Sequence, residues 1–434
     1  MDVTTLKNKV CAEIDRNKDT ILSWGNTLLH HPELGYKELK TSAFIRSKLD
    51  ELNIPYIYPA AVTGIKGRIS GNSADLNICI IGEMDGVICT DHPNADGLTG
   101  AAHACGHNAQ VAAMLGAACG LLKSGVMPEL WGNVTFLAAP AEEYMDIAYR
   151  RQLKENGTIK YFGGKQQLLY EGMFDDVDLA IMIHSHAETP ETKLFLQGGS
   201  LGFVYKTMEF KGRESHGSEP YKGVNALNAA MLALMGIHAN RETFRDEDKI
   251  RIHPIITNGG EIVNTIPANV TMETYVRAGN LEAMKDAALK VDRAVNGAAM
   301  SVGAKIKIKT TAGYLPLMQD NNLSAVFEGN AAAFVPQRDI YHGVDMTGST
   351  DMGDLSHLIP CIQPTMGGFS GTAHSRDFGI ANPDAAYILS AKILAMTVID
   401  LLYDKAKSGT EIKNTFKPVM TKEEYIRYLD QQER

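Results

Sequence analysis

The spacing of apolar positions changes several times along this chain, and each change predicts a different kind of element. In the first fifty residues the spacing is helical: ILSWGNTLLHHPE (21–33) and LKTSAFIRSKLDEL (39–52) each gather apolar side chains on one face. Short, wholly apolar runs follow. LNICIIG (76–82), NVTFLAAP (133–140) and VDLAIMIH (177–184) predict strands buried on both faces. Between the first two, NAQVAAMLGAACGLLKSG (108–125) predicts a buried helix that stops at Ser-Gly. Strands alternating with helices predict a mainly parallel sheet covered on both sides.

Near residue 200 the style changes again. GFVYKTMEFKG (202–212) alternates, as a strand with one solvated face does. An amphipathic helix (224–240), strands at KIRIHPIITNGG (249–260) and NVTMETYVRAG (269–279), a second helix (281–303) and a strand (304–311) complete a βαββαβ order. That order predicts a ferredoxin-like α+β module. From there to a last helix at 382–403 the α/β style returns. The expected fold class is therefore α/β with two domains: a mainly parallel catalytic domain at 1–198 and 314–434, interrupted by an insert at 199–313.

Composition narrows the function. Lysine and arginine total 42 against 51 acidic residues, a net charge of −9, which argues against nucleic-acid binding. The charged N-terminus has no signal-peptide pattern, and no apolar run reaches the roughly 18 residues of a membrane span. Six scattered cysteines without CxxC pairs point to reduced thiols and a cytoplasmic location.

Candidate chemistry collects where strands end, as expected of open α/β sheets. The first buried strand runs into GEMD with Glu83 and Asp85, the second into AAPAEE with Glu142 and Glu143, and the third into IHSH with His184 and His186. Any one of these is an ordinary polar strand end. Together with Cys105 and His107 of ACGHN they form a constellation suited to a metal that accepts thiolate, imidazole and carboxylate. One glutamate of the pair can bind metal while its neighbour acts as a general base toward water, whose pKa a metal lowers from 15.7 toward about 7. A thiol mechanism, with His107 activating Cys105, stays open on these residues alone. It leaves the glutamate pair and the strand-end histidines without roles.

Eight motifs in order, HHPELGYKE (30–38), GEMDG (82–86), HACGHN (103–108), APAEE (139–143), SHGSEPYKGVNA (215–226), IVNTIP (262–267), GSTDMGD (348–354) and GTAHSRDF (371–378), resemble the metal-dependent aminoacylase/carnosinase-type peptidase superfamily. Within it they are similar to the amidohydrolase branch of hippurate, auxin-conjugate and aminobenzoyl-glutamate hydrolases. The resemblance implies two divalent ions, zinc or manganese with cobalt or nickel as alternatives, held by Cys105, His107, Glu143, His184 and His374. It implies Glu142 as general base and proton donor, with Asp85 and Asp351 as supporting acids. The insert becomes a lid and dimerisation domain, in which His216 reaches a partner's site and Asn264 lies near substrate. A homodimer or higher even oligomer follows, acting on a small carboxylate-bearing amide such as an N-acyl or N-aroyl amino acid or a dipeptide.

The chain departs from the branch at two places. It reads CGHNAQ where many relatives read CGHDGH, and DGVICTD where an acid-rich DALP-like continuation is common. Asn108 cannot supply a carboxylate, so an altered pocket around the metals is expected. Two other functions compete with amide hydrolysis. One is cleavage of another C–N bond, such as arylamine deamination, at the same metals. The other is a ligand-binding or assembly protein that keeps the fold without turnover.

Overall fold

The computed structural model describes residues 1–433. The chain forms two compact units. The larger comprises Met1–Gly199, Met318–Asp345 and Asp354–Met420. Its main sheet has six strands, ordered Tyr56–Ala60, Gly64–Ser70, Asn133–Ala139, Asn77–Glu83, Leu179–Ile181 and Cys361–Ile362. The last four run parallel, and the first two add an antiparallel edge. Strand Asn77–Glu83, buried along its whole length, sits near the middle, as a continuous apolar run requires.

Helix His107–Lys123 is buried from His107 to Leu121, so its apolar character on all sides belongs to the core. It packs against the helix Asp384–Thr415, whose most apolar window meets the length and composition of a membrane span yet is 89% buried inside the fold. The long first segment of that helix stops at Tyr403, as expected, where the backbone leaves the helical region. The chain turns through left-handed backbone at Asp404, Lys405 and Ala406 and becomes helical again. A second sheet of four short strands, Ile340–His342, Leu194–Leu196, Thr365–Met366 and His184–Ser185, extends the carboxyl ends of the parallel strands.

The smaller unit comprises Ser200–Leu317, Met346–Gly353 and Thr421–Arg434. Strands Arg251–Ile252, Asn269–Ala278, Gly202–Lys211 and Lys305–Ala312 form an antiparallel sheet, against which helices Ala226–Ala239 and Leu281–Ser301 pack side by side. The strand expected over 249–260 is broken: Ile255–Asn258 forms a separate piece after His253–Pro254, where proline supplies no ladder N–H.

Two segments expected in the catalytic domain fall with this unit instead. Gly348 accepts a backbone bond from Leu201, and Arg277 donates to Ser349 at 2.7 Å. Helix Lys422–Gln432 starts with a capping box between Thr421 and Glu424 and packs on strand Lys305–Ala312, burying Tyr425 and Leu429 one turn apart.

Candidate metal centre

The larger unit gathers the strand-end residues at one place, starting from the CGH turn. Gly106 has φ +83° and precedes the first residue of helix His107–Lys123. A Cβ at that glycine would lie 2.7 Å from the Ser185 side chain, so the turn packs directly on the strand carrying His184. Ser185 Oγ donates to the Cys105 carbonyl at 2.8 Å, pinning the two segments together. His374, itself in left-handed backbone at φ +61°, donates its N–H to the Ala104 carbonyl at 2.8 Å. Non-glycine residues in that region are uncommon and collect at functional sites.

Three groups of donor atoms result. Cys105, His107 and His184 have ligand atoms all within 4.8 Å of one another, and so do Cys105, Glu143 and His374. Cys105 is common to both. A third group, Glu83, His107 and Glu142, is wholly buried and meets the same 4.8 Å limit. The Cys105 Sγ lies 3.7 Å from His184 Nε2, and His374 Nε2 lies 3.1 Å from Glu143 Oε1.

The free atoms point inward. His107 Nδ1 donates to the Asp85 carbonyl oxygen at 2.8 Å, which turns Nε2 toward the other donors. That Nε2 is buried and makes no hydrogen bond; Glu83 Oε2 sits 3.3 Å away without hydrogen-bond geometry. A buried ring nitrogen without a partner is costly, and a metal ion in place of its proton satisfies it. His184 follows the same logic, with Nδ1 donating to the Ser185 carbonyl at 2.9 Å and Nε2 turned toward Cys105. The donor set of thiolate, imidazole and carboxylate fits a borderline divalent ion.

The electrostatics match. Burial and the Glu143 charge push the Cys105 thiol up, but the His184 and His107 imidazoles outweigh them and bring it down to about 6. Hydrogen bonds to Cys105 and Glu143 hold His374 protonated up to about 11. Burial opposes the charge on Glu143, yet its bond to His374 lowers its pKa. Such a cluster holds protons that a metal ion would displace.

Around the donors lie two residues that the sequence reading passed over, Lys165 and Gln110, both on Glu83. Buried Glu83 pairs with fully buried Lys165 at 2.5 Å and accepts from Gln110 Nε2 at 2.8 Å. Burial works against its charge, and Lys165 together with His107 and His184 more than compensates, taking it down to about 2. Lys165 and Gln110 carry no sequence signal, because a lysine or glutamine at a helix start reads as solvent-facing. Asp85 accepts from the Glu143 backbone N–H at 2.9 Å through Oδ2, and its Oδ1 lies 3.3 Å from His107 Nδ1.

Asn108 is placed differently from the expectation. Its Nδ2 lies 3.1 Å from Tyr387 Oη and 3.3 Å from the Gly25 carbonyl, so it joins helices behind the site. One residue pitch round the helix explains this: His107 faces the donors, Asn108 faces the packing helices, and Gln110 reaches Glu83. His186 stacks on Phe195 with ring centroids 3.6 Å apart and is in none of the donor groups. In the smaller unit, His216 and Asn264 are exposed neighbours, with His216 Nε2 3.1 Å from Asn264 Nδ2 and His216 Nδ1 2.6 Å from Ser218 Oγ. Asp351 belongs to that unit also.

Comparison with known proteins adds three kinds of likeness. Residues 198–301 match the M20 peptidase dimerisation domain. The human Xaa-Arg dipeptidase is 29% identical over 77% of this chain and 74% of its own length. The IAA-amino acid hydrolase ILR1-like 2 of Arabidopsis thaliana is 26% identical over 88% of this chain and 84% of its own. Among solved structures, the YxeP protein of Bacillus subtilis, a dinuclear metal-binding peptidase of the M20 family, superposes with a TM-score of 0.68 at 23% identity, covering 88% of this chain and 98% of that one. The chain thus carries an M20 peptidase dimerisation domain and is a hydrolase similar to amidohydrolases and peptidases.

Proposed function

We propose that the protein is a two-metal amidohydrolase that cleaves the amide bond of N-acyl or N-aroyl amino acids or of dipeptide-like compounds. The observation that carries this reading is the pair of three-donor groups sharing Cys105, with Glu142 in the adjoining group. Cys105, His107 and His184 would hold one ion, and Cys105, Glu143 and His374 the other. Bound there, the ions polarise the amide carbonyl and make water a better nucleophile at neutral pH.

The chain's own residues do the rest. Glu142, only 7% exposed and in the same donor group as His107, takes the proton of the attacking water. As the C–N bond breaks, Glu142 gives that proton to the departing nitrogen. Asp85 orients His107 with Nε2 toward the ion, because its backbone carbonyl accepts a hydrogen bond from Nδ1–H. His216 of a second copy donates to the carbonyl oxygen as negative charge develops there, with Asn264 beside it. A homodimer follows from that role and is supported by the dimerisation domain. Six free cysteines among the described residues support a cytoplasmic location.

The test is a library of N-acyl amino acids, N-aroyl amino acids and dipeptides, offered to protein reconstituted with zinc, manganese, cobalt or nickel. Release of a free acid with its amine partner is expected, abolished by chelation. Ammonia without a released acid would overturn the amide reading in favour of deamination, and no turnover with any ion would favour a binding protein.

A further inference from the structure

The motif HHPELGYKE has no role in the chemistry above, yet the structure folds it against the turn that carries Glu142 and Glu143. That turn leaves strand Asn133–Ala139 through Ala141, whose φ of +54° is a left-handed conformation that alanine adopts at a cost. Two consecutive carboxylates then follow, and they repel each other. Beyond the local bond from the Met145 N–H to the Glu143 carbonyl at 2.7 Å, the turn is held from outside.

Its N–H groups are held by the side-chain oxygens of two buried acids. Glu38 Oε1 accepts from the Ala141 N–H at 2.8 Å, and Asp85 Oδ2 accepts from the Glu143 N–H at 2.9 Å. Its carbonyls are held by a guanidinium. Arg150 Nη1 donates to the Ala141 carbonyl at 3.3 Å and to Phe162 at 2.7 Å, while Nη2 donates to the Glu143 carbonyl. Glu38 is 0% and Arg150 1% exposed. Each is fixed in turn. Thr63 Oγ1 donates to Glu38 Oε2 at 2.6 Å, and Arg150 lies over the rings of Tyr36 and Tyr144. Gly35 leaves the necessary room, since a Cβ there would lie 2.6 Å from Arg150 Nη2 and 2.8 Å from Ala141 Cα. Gly35, Tyr36 and Glu38 all come from the one motif.

We propose that Glu38 and Arg150 are positioning residues: a clamp on both edges of the 141–143 turn that sets the general base Glu142 and the donor Glu143 in place. This rests on the two-metal reading for the roles of those two glutamates. A guanidinium suits the task because its planar fork reaches carbonyls on both sides of the turn at once, which a lysine ammonium cannot do. Residues that orient ligands from behind change metal affinity or activity by about 10- to 100-fold when altered.

The experiment compares Arg150→Lys, Glu38→Ala and Glu38→Gln with wild type in three readouts: zinc affinity by calorimetry on the ion-free protein, kcat and KM on the best substrate, and thermal midpoint. Arg150→Lys and Glu38→Ala are expected to weaken zinc binding and lower kcat by about 10-fold or more, with KM within about threefold. Glu38→Gln, which keeps an oxygen acceptor for Ala141, is expected to recover most of what Glu38→Ala loses. Zinc affinity and kcat within twofold of wild type in folded Glu38→Ala and Arg150→Lys would overturn the clamp, whatever their thermal midpoints. If Arg150→Lys fails to fold, the Glu38 pair still decides. If wild type cleaves no amide, the hydrolase reading falls, while the zinc affinities still test the clamp.

Discussion

The two regions expected to meet substrate are built in opposite ways. Around Cys105 each donor is tied from behind: His107 to the Asp85 carbonyl, His184 to the Ser185 carbonyl, His374 by its backbone to Ala104. The 213–224 and 258–267 loops of the smaller unit hold the His216 and Asn264 side chains against each other and Ser218, in solvent. A tied, buried donor binds an ion without reorganising, which is what metal affinity requires. An exposed histidine on a short loop gains little within its own unit and is available to a group from outside it. The difference teaches that the candidate donor groups all lie within the larger unit of one chain, whereas the role proposed for His216 calls for a group outside its own unit.

Disturbing the buried region gives the largest expected effect. Cys105 is the donor that both groups share, so Cys105→Ser is expected to lower affinity for both ions by at least about 10³-fold and to leave no turnover at micromolar metal. His374→Ala, which belongs to one group, weakens one ion only. Equal losses from the two variants, measured by calorimetry, would remove the shared-donor reading. The protons give an independent check. In the ion-free chain His374 stays protonated up to about 11, so at pH 7.5 ion binding displaces its proton and affinity rises with pH. Below about 6 the Cys105 thiolate is also protonated and affinity falls further. Binding enthalpies that do not depend on the buffer's own ionisation heat would contradict this.

Glu142→Gln comes next. It keeps the size of the side chain and removes the base, and a loss of about 10²- to 10⁴-fold in kcat is expected with ion affinity nearly unchanged. Full turnover in this variant would end the general-base assignment.

The exposed region is expected to respond in a different way. His216→Ala leaves ion affinity and thermal midpoint as they are and lowers kcat by about 10²-fold, the usual cost of one oxyanion donor. Because the histidine is read as serving a partner, mixing two inactive variants sharpens the contrast. A dimer of His216→Ala with Glu142→Gln holds one site with both an intact base and an intact histidine. Random exchange then restores about a quarter of wild-type activity. No recovery after verified subunit exchange would place His216 at its own chain's site or at none.

What the sequence disclosed follows the same division. Strand ends with acids and histidines, and a glycine between Cys105 and His107, are visible because strand period and turn chemistry are local. The insert's βαββαβ order was visible for the same reason. Arg150, Lys165 and Gln110 were not, since each is a long polar side chain whose burial depends on partners 7 to 82 positions away. The helix at 422–432 buries Tyr425 and Leu429, a stripe too narrow to announce which unit it joins. The break at Pro254 was legible in principle, as proline interrupts a ladder. It was masked by the apolar residues on either side.

The smallest expected effect concerns Asn108, the most visible departure from CGHDGH. Its type suggested a changed pocket, but its contacts point away from the donors, to Tyr387 Oη at 3.1 Å and the Gly25 carbonyl at 3.3 Å. Asn108→Asp would restore the commoner letter while burying a carboxylate and removing an amide donor from those two acceptors. The cost therefore falls on stability, about 1–3 kcal/mol for a buried polar group left badly paired. The order of preference among substrates should not move, and kcat/KM should stay within about threefold on every compound tested. Gln110→Ala is the matched control, because Gln110 reaches Glu83 beside His107 and its loss changes the surroundings of a donor. If Asn108→Asp altered substrate preference and Gln110→Ala did not, the helix face assigned to packing would be part of the site, and the division between tied donors and supporting core would have to be redrawn.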